Sequence, residues 1–520
     1  MTGDSSSNGH RIIRLTLTPP SLKDNTGDAD RLAGALKRRL SEDLPVQMDL
    51  DLMRALPKMI RKWNFDLRCI VFRERTGYRL IDITAEDDPR PAAGLAVDLG
   101  TTRVVLRLID LETGSSLGET AFDNPQIAVA PDILDRIHYT DAHAGGLESL
   151  QSMVVAGLNR TLTDLCETAD LSRNEIYLIA LAGNTAMTHL FMGLPPDRII
   201  REPYIPAVNT PGVLSAAELG IDAHPRARIL VFPNVGSYFG GDLIAGILFS
   251  GMNDIEETAI LVDVGTNAEV ILGNKDWLVA CAGAAGPALE SGVAGMGMMA
   301  APGVIDTVAI DPKTREFEYR TIGDLPPEGM CGSGIIDLAA QLFLSGMLDI
   351  RGKLVPENCG DRYQEVDGMG RIVVVPGAVS ATGEDLTLDQ ADIDSLIRSK
   401  AAMFTILETL TLSVGMALEE ITTFYVAGTF GSFIKPESAI AIGMIPDLPI
   451  ETYQPLGNSS LGGAAMALTL ENPQAELDKI RNRITYIELN VNQELMNRFS
   501  AAKFLPHTDP SRFPSVRVRD

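Results

Sequence analysis

Along the chain, short apolar runs alternate with stretches in which apolar residues recur every three or four positions, a change of period that predicts a mixed α/β protein. In "RIIRLTLTPP" the residues Ile13, Leu15 and Leu17 fall on one face of a strand. "DADRLAGALKRRL" has helical spacing behind Asp28 or Asp30 as an N-cap, and "DLRCIVFRERTGYRLIDI" predicts two strands around a turn at Thr76-Gly77. The segment "TAEDDPRPAAG", residues 84–94, is polar and proline-rich, so residues 11–90 are expected to form a small α/β domain behind a disordered start, residues 1–10. Helices are expected over 145–169, 241–252, 332–348 and 388–415. Between them run the strands "IYLIALAG", "ARILVFP", "AILVDVG" and "TTFYVAG", each ending in a small residue or a turn, where open α/β sheets place their ligands. Residues 476–520 are expected to add one strand, a short helix and a tail.

Two strands share an ending. In "LAVDLGTTRVVLRL", Leu95 and Val97 lead to Asp98, Gly100 interrupts the run, and Val104, Leu106 and Leu108 resume it, which predicts a hairpin with a Gly-Thr-Thr tip. Glycine lets such a tip take a positive φ and approach a ligand, with the N–H groups and the hydroxyls of Thr101 and Thr102 aimed at phosphate oxygens. A carboxylate at the strand end, Asp98, suits Mg²⁺ held through bound water; a turn cap is the plainer alternative. "LVDVGTNAEVIL" repeats the pattern with Asp263, Gly265, Thr266 and Asn267, so one turn is expected for each side of a nucleotide.

Other residues add candidate chemistry. In "FYVAGTFGSFI", Gly428, Thr429 and Gly431 would let an adenine or ribose lie against bare backbone, or else form only a strand-to-helix turn. Asp242 follows a Gly-Gly pair at the start of a helix, where it either polarises an attacking water or caps the helix. Gly332 and Ser333 open another helix in "CGSG", a setting that binds anions, while the neighbouring Cys331 is expected to be packing. Asn184, in "LAGNTAM", is expected to stabilise a connection between lobes. The methionines of residues 292–304 form either core or a docking surface.

Composition narrows the class. At 520 residues, 22% charged and 45% hydrophobic, the chain is globular with two to four domains. A net charge of -25 repels nucleic acids and anionic membranes. No apolar run approaches the roughly 20 residues of a membrane span and no signal layout opens the chain, so a cytoplasmic location is expected. The five cysteines have no metal-ligand spacing, and the six histidines no metal motif, so neither zinc nor an iron–sulfur cluster is expected in this chain.

The ordered set "DLGTT", "LAGNTAM", "DVGTN" and "VAGTFG" resembles the phosphate 1, connect 1, phosphate 2 and adenosine motifs of the superfamily of acetate and sugar kinases, Hsc70 and actin. That resemblance implies two ribonuclease-H-like lobes over residues 94–475, closing over Mg-ATP. More narrowly, "GMCGSGIIDLAAQL", "AGPALESG", "FGGDLIAGIL" and the tail "YIELNVNQELMNRFSAAKFLPHTD" resemble the ATP-dependent reductive activators of corrinoid proteins, and "LTLTPPSLKDNTGDADRL" resembles their middle domain. The resemblance implies an ATPase that binds an inactive Co(II) corrinoid protein of a methyltransferase system and couples hydrolysis to its return to Co(I). Asp98, Asp242 and Asp263 would serve catalysis, Glu290 either the metal, the partner or packing, and the leading domain a homodimer contact. Cobalamin would stay on the partner. Members of that family typically carry a 2Fe-2S ferredoxin-like domain ahead of the part matched here, so the electron is expected from a separate donor. A small-molecule kinase of the same superfamily and an ATP-gated chaperone for a corrinoid methyltransferase are the alternatives.

Overall fold

In the computed structural model, which describes residues 11–40, 43–264, 268–283, 294–311, 313–428, 434–487 and 493–517, the chain divides into two units. The first is Met1–Phe249 with Ser459–Arg483, and the second is Ser250–Asn458 with Ile484–Asp520. The expected disordered start lies outside the described residues.

The first unit opens with a four-stranded sheet in the spatial order Ile12–Thr16, Asp66–Glu74, Gly77–Ala85, Val46–Met48, whose central hairpin turns where expected. The helix Asp28–Leu40 covers it, joined by a helix Leu50–Lys62 that the sequence reading did not include. Leu52, Leu56 and Ile60 form its buried stripe, while Pro57 stands on the exposed face, where water reaches the carbonyl left without its usual donor. This leading part packs on the sheet that follows rather than standing apart: Arg226 pairs with Asp51 at 2.6 Å and Asp82 at 2.5 Å, and Arg228 with Asp49 at 2.8 Å. The expected division at the polar segment 84–94 does not separate the two sheets, which lie in one unit.

Each unit then carries one six-stranded sheet of the same plan. In the first, Ala93–Leu99 lies between its antiparallel partner Arg103–Asp110 and the parallel strand Ile176–Gly183, with Ser116–Asp123 beyond one and Arg228–Val231 and Gly212–Ser215 beyond the other. In the second, Ala259–Val264 lies between antiparallel Ala268–Gly273 and parallel Thr423–Ala427, with Leu278–Gly283 and Tyr453–Gly457 outside them. These are the two ribonuclease-H-like lobes that the resemblance implied. Ile176–Gly183 is buried at every residue, as a parallel strand covered on both faces must be, which explains its unbroken apolar run. Two three-stranded sheets extend the second unit, around Val304–Ile310 and Met369–Val375.

The C-terminal divisions differ from the expected ones. Helices Ser459–Thr469 and Pro473–Arg483 return to the first unit, while Ile484–Tyr486 extends the second sheet beside Leu278–Gly283. The small residues of Ser459–Thr469 account for its placement: a Cβ at Gly463 would lie 2.1 Å from the Ala245 carbonyl oxygen, so this helix packs on Gly241–Ser250 closer than any larger residue permits. In the second unit the tail is fastened to the helix Gln390–Ser413, where the buried Lys400 donates to the carbonyls of Phe504 at 2.5 Å and Pro506 at 2.7 Å.

Burial pushes Lys400 down to about 7, from 10.5. Between those values the unfolded chain binds the proton that the folded chain releases, so the penalty is complete below the folded pKa and fades as pH rises. Unfolding measured from about pH 7 to about pH 10 should therefore show wild type gaining on Lys400→Met by up to ~1.4 kcal/mol per pH unit. A pH-independent difference would mean that the ammonium is hydrated in the fold.

Candidate functional site

The tip of the first hairpin is held from behind. Gly100 O accepts from Asn124 Nδ2 at 3.0 Å, Thr101 O from Arg136 Nη2 at 2.8 Å, and Thr102 O from the Asn124 backbone N–H at 2.8 Å. These peptides are trans, with C=O and N–H antiparallel, so the N–H groups of Thr101, Thr102 and Arg103 point to the opposite side. Three successive donors turned one way form an anion-binding concavity. Gly100 is needed for a reason other than the one expected: its φ is not positive, but a Cβ there would lie 2.2 Å from the Arg103 carbonyl oxygen.

Three side chains surround this tip. Thr101 Oγ1 accepts from Asn184 Nδ2 at 3.0 Å, which leaves the threonine proton available to a ligand. Asn184 Oδ1 in turn accepts from Met187 N at 2.9 Å and so caps the helix Thr185–Met192. The connector expected at Asn184 is thus a clamp between the tip and a helix of the same unit. Asp98, half-buried at its strand end, accepts at 2.8 Å from Ser460 Oγ in the first turn of Ser459–Thr469. Ser460 was not foreseen, because 362 positions separate it from its partner.

Asp242 lies in the first turn of Gly241–Ser250, past the cap position, and accepts from Leu243 N at 2.9 Å. A Cβ at the preceding Gly240 would lie 2.5 Å from Asp242 Oδ1, 2.5 Å from Asn184 Cα and 3.0 Å from Gly183 O, so the carboxylate stands beside the residues that clamp the tip. Gly183 itself pairs with Leu99, the residue before the tip. The first unit therefore gathers Asp98, Gly100, Thr101, Thr102 and Asp242 along one sheet edge.

In the second unit Asp263 repeats the placement of Asp98. Each aspartate pairs with an alanine on its parallel neighbour, Ala182 for Asp98 and Ala427 for Asp263, and each has its hairpin partner opposite, Val105 and Glu269. Gly428 follows that parallel strand with φ of 85°, a conformation that favours glycine. Gly265, Thr266, Asn267, Thr429, Gly431 and Glu290 lie outside the described residues. Gly332 starts the helix Gly332–Leu344, and Ser333 is buried with its hydroxyl 3.2 Å from Cys331 Sγ. In the same helix the buried Asp337 accepts from Lys435 Nζ at 2.7 Å and Ser438 Oγ at 2.6 Å, tying it to the segment that follows the Gly428 turn. A carboxylate within the apolar run "GIIDLAAQL" was the available signal for that tie.

The other candidates are the cysteines and the methionine-rich stretch. All five cysteines are buried and free; burial pushes Cys69 and Cys281 up to about 12 and Cys166 and Cys359 up to about 11, so these four stay thiols at neutral pH. In the methionine-rich stretch Met296 is buried and Met299 exposed. Among the described residues no three of His, Cys, Asp and Glu are grouped to hold a metal ion, and no helix is long and apolar enough to cross a membrane.

Three family models match the chain in succession: the RACo linker region over residues 7–89, the RACo middle region over 93–255, and the C-terminal domain of RACo, the ASKHA domain, over 257–517. The leading unit accordingly corresponds to the linker rather than to the middle domain it was expected to resemble. Among solved structures the chain is similar to a reductive activator for a corrinoid, iron–sulfur protein, with 37% identity, a TM-score of 0.87, and coverage of 97% of this chain and 80% of that one. It is also similar to the corrinoid activation enzyme RamQ of Eubacterium limosum, 28% identical over 82% of this chain and 72% of that protein. A reductase of Methanosarcina barkeri named for the Co(II) methylated amine-specific corrinoid protein is 24% identical over 78% of this chain and 75% of its own length.

Asn184→Ala removes both a helix cap and the Thr101 clamp, and should lower unfolding stability by about 1–2 kcal/mol in urea titrations. Asn184→Asp keeps the capping oxygen and should lose less; equal losses would assign the effect to the clamp alone.

Proposed function

The chain belongs to the RACo family, and from that premise we propose that it is an ATP-dependent activator of a corrinoid protein. It binds the partner in the Co(II) state and couples ATP hydrolysis to its return to Co(I), one electron arriving from a separate donor. The buried thiols make this chain's own cysteines poor candidates for that donor. The names of the relatives support the corrinoid half of the reading. The observation that carries the nucleotide half is the tip of the first hairpin, with its three carbonyls drawn back and a carboxylate at its base.

In this reading Gly100, Thr101 and Thr102, with Gly265, Thr266 and Asn267, bind the phosphates. Gly428, Thr429 and Gly431 receive the adenosine, and the helix start at Gly332 and Ser333 offers backbone donors. Asp98 and Asp263 are the Mg²⁺-side carboxylates. A carboxylate at each strand end, Asp98 sharing an oxygen with Ser460 and Asp263 standing opposite Glu269, suits an ion that keeps most of its water. Mg²⁺, when bound, neutralises charge on the phosphates. Asp242 orients and polarises the attacking water, a role compatible with its place beside the clamped tip. Binding of ATP supplies free energy for the partner only to the extent that the states of this protein differ in affinity for it.

Phosphate release should rise when a Co(II) corrinoid protein is added, and with a low-potential reductant present the Co(I) absorbance should appear only with ATP. Hydrolysis indifferent to the partner, without Co(I), would overturn the activator reading; labelled phosphate found on a metabolite would replace it with a kinase. Asp242→Ala should slow turnover by about 10²-fold or more while nucleotide binding persists; unchanged turnover would remove Asp242 from the chemistry.

A further inference from the structure

Arg136, in the helix Ile133–Ala142, is one of the largest fully buried side chains of the protein. Its guanidinium donates from Nη2 to Thr101 O at 2.8 Å, from Nη1 to Gln126 Oε1 at 3.1 Å and Met187 Sδ at 3.0 Å, and from Nε to Ala130 O at 3.1 Å. Every one of these acceptors is uncharged, and among the described residues no carboxylate forms an ion pair with it. Burial lowers its pKa to about 10, with Asp132 acting in the opposite sense from a distance, so the group remains a cation at neutral pH. A buried charge without a counter-ion is costly, and the cost is offset when an anion arrives nearby.

An anion at the hairpin tip meets Arg136 through the peptide that the guanidinium holds. The Thr101 carbonyl faces the guanidinium, and the N–H of the same peptide, that of Thr102, faces the opposite side. A cation on the carbonyl end draws electron density toward itself and strengthens the donor at the other end, as hydrogen bonds in series do. We propose that Arg136 is a built-in counter-charge for the polyphosphate, a positioning residue that never touches the ligand but raises affinity for it through the Thr101-Thr102 peptide. This rests on the nucleotide reading above and deepens it: the tip is selective for anionic phosphate because of a charge in its second layer, not only because of its backbone donors.

The test is calorimetric binding of ADP and ATP to the full chain as wild type, Arg136→Lys and Arg136→Met. Arg136→Met should weaken both nucleotides by roughly 10-fold or more, the range expected when a charge-assisted hydrogen bond is lost. Arg136→Lys, which keeps the charge but not the fork, should recover most of that loss. A purely structural arginine predicts a different pattern: both variants shift the unfolding midpoint while their folded fractions bind nucleotide as wild type does, or both lose affinity equally, and either result overturns the proposal. Should Arg136→Met fail to fold, Arg136→Gln serves as the neutral variant, with the same two outcomes. Wild type that binds neither nucleotide would instead overturn the nucleotide reading itself, and this proposal with it.

Discussion

The arrangement of the first lobe depends on one constraint: the carbonyls of Gly100, Thr101 and Thr102 are all drawn back from the hairpin tip. A tight turn with free carbonyls would present both signs of partial charge to a ligand, and an anion would meet as much repulsion as attraction. Asn124 supplies two of the three donors, one from its side chain and one from its backbone, and Arg136 supplies the third. Their presence accounts for the buried polar shell behind the sheet edge, where Asn124, Gln126 and Arg136 sit among apolar neighbours. It also accounts for Gly100, since the tip can fold back so closely only without a side chain at that position.

Asp98 belongs to a second line of support that reaches the far end of the unit. The helix Ser459–Thr469 presents Ser460 to Asp98 at its start, while its last carbonyls are met by Arg11 of the leading sheet, which donates to Leu468 O at 3.2 Å and Leu470 O at 2.6 Å. A cation at the C-terminus of a helix opposes the negative end of its dipole, so the leading sheet is fastened to the same strut that orients the candidate metal-side carboxylate. The ion pairs of Arg226 and Arg228 with Asp49, Asp51 and Asp82 hold the rest of that sheet in place. This makes the leading part an integral support of the lobe.

Duplication carries the remaining logic. Asp98 and Asp263 occupy equivalent positions in two sheets of one plan, each flanked by an alanine on the parallel strand, where a small side chain leaves the carboxylate room. The second unit holds its helix Gly332–Leu344 to the segment after Gly428 through a buried carboxylate, Asp337, with a lysine and a serine on it. Different residues thus tie a helix in place in each unit: Ser460 on Asp98 in the first, Asp337 with Lys435 and Ser438 in the second.

The sequence by itself determined the elements and the chemistry carried on contiguous stretches. The two Asp-x-Gly-Thr hairpins, the fully apolar strand Ile176–Gly183 and the long helices were legible because each rests on a local period or a local turn, and the fold and family followed from their order. Tertiary structure alone decided which lobe each late helix joins, why Gly100 is glycine, and which residues stand behind the tip. Ser460, Asn124, Arg136 and Asp337 lie far along the chain from most of what they hold, and a lone serine, asparagine or arginine has no periodic signature. Their roles arise from the satisfaction of buried polar groups, a condition set by neighbours in space, and no pattern of apolar and polar positions along a chain encodes which neighbours those will be.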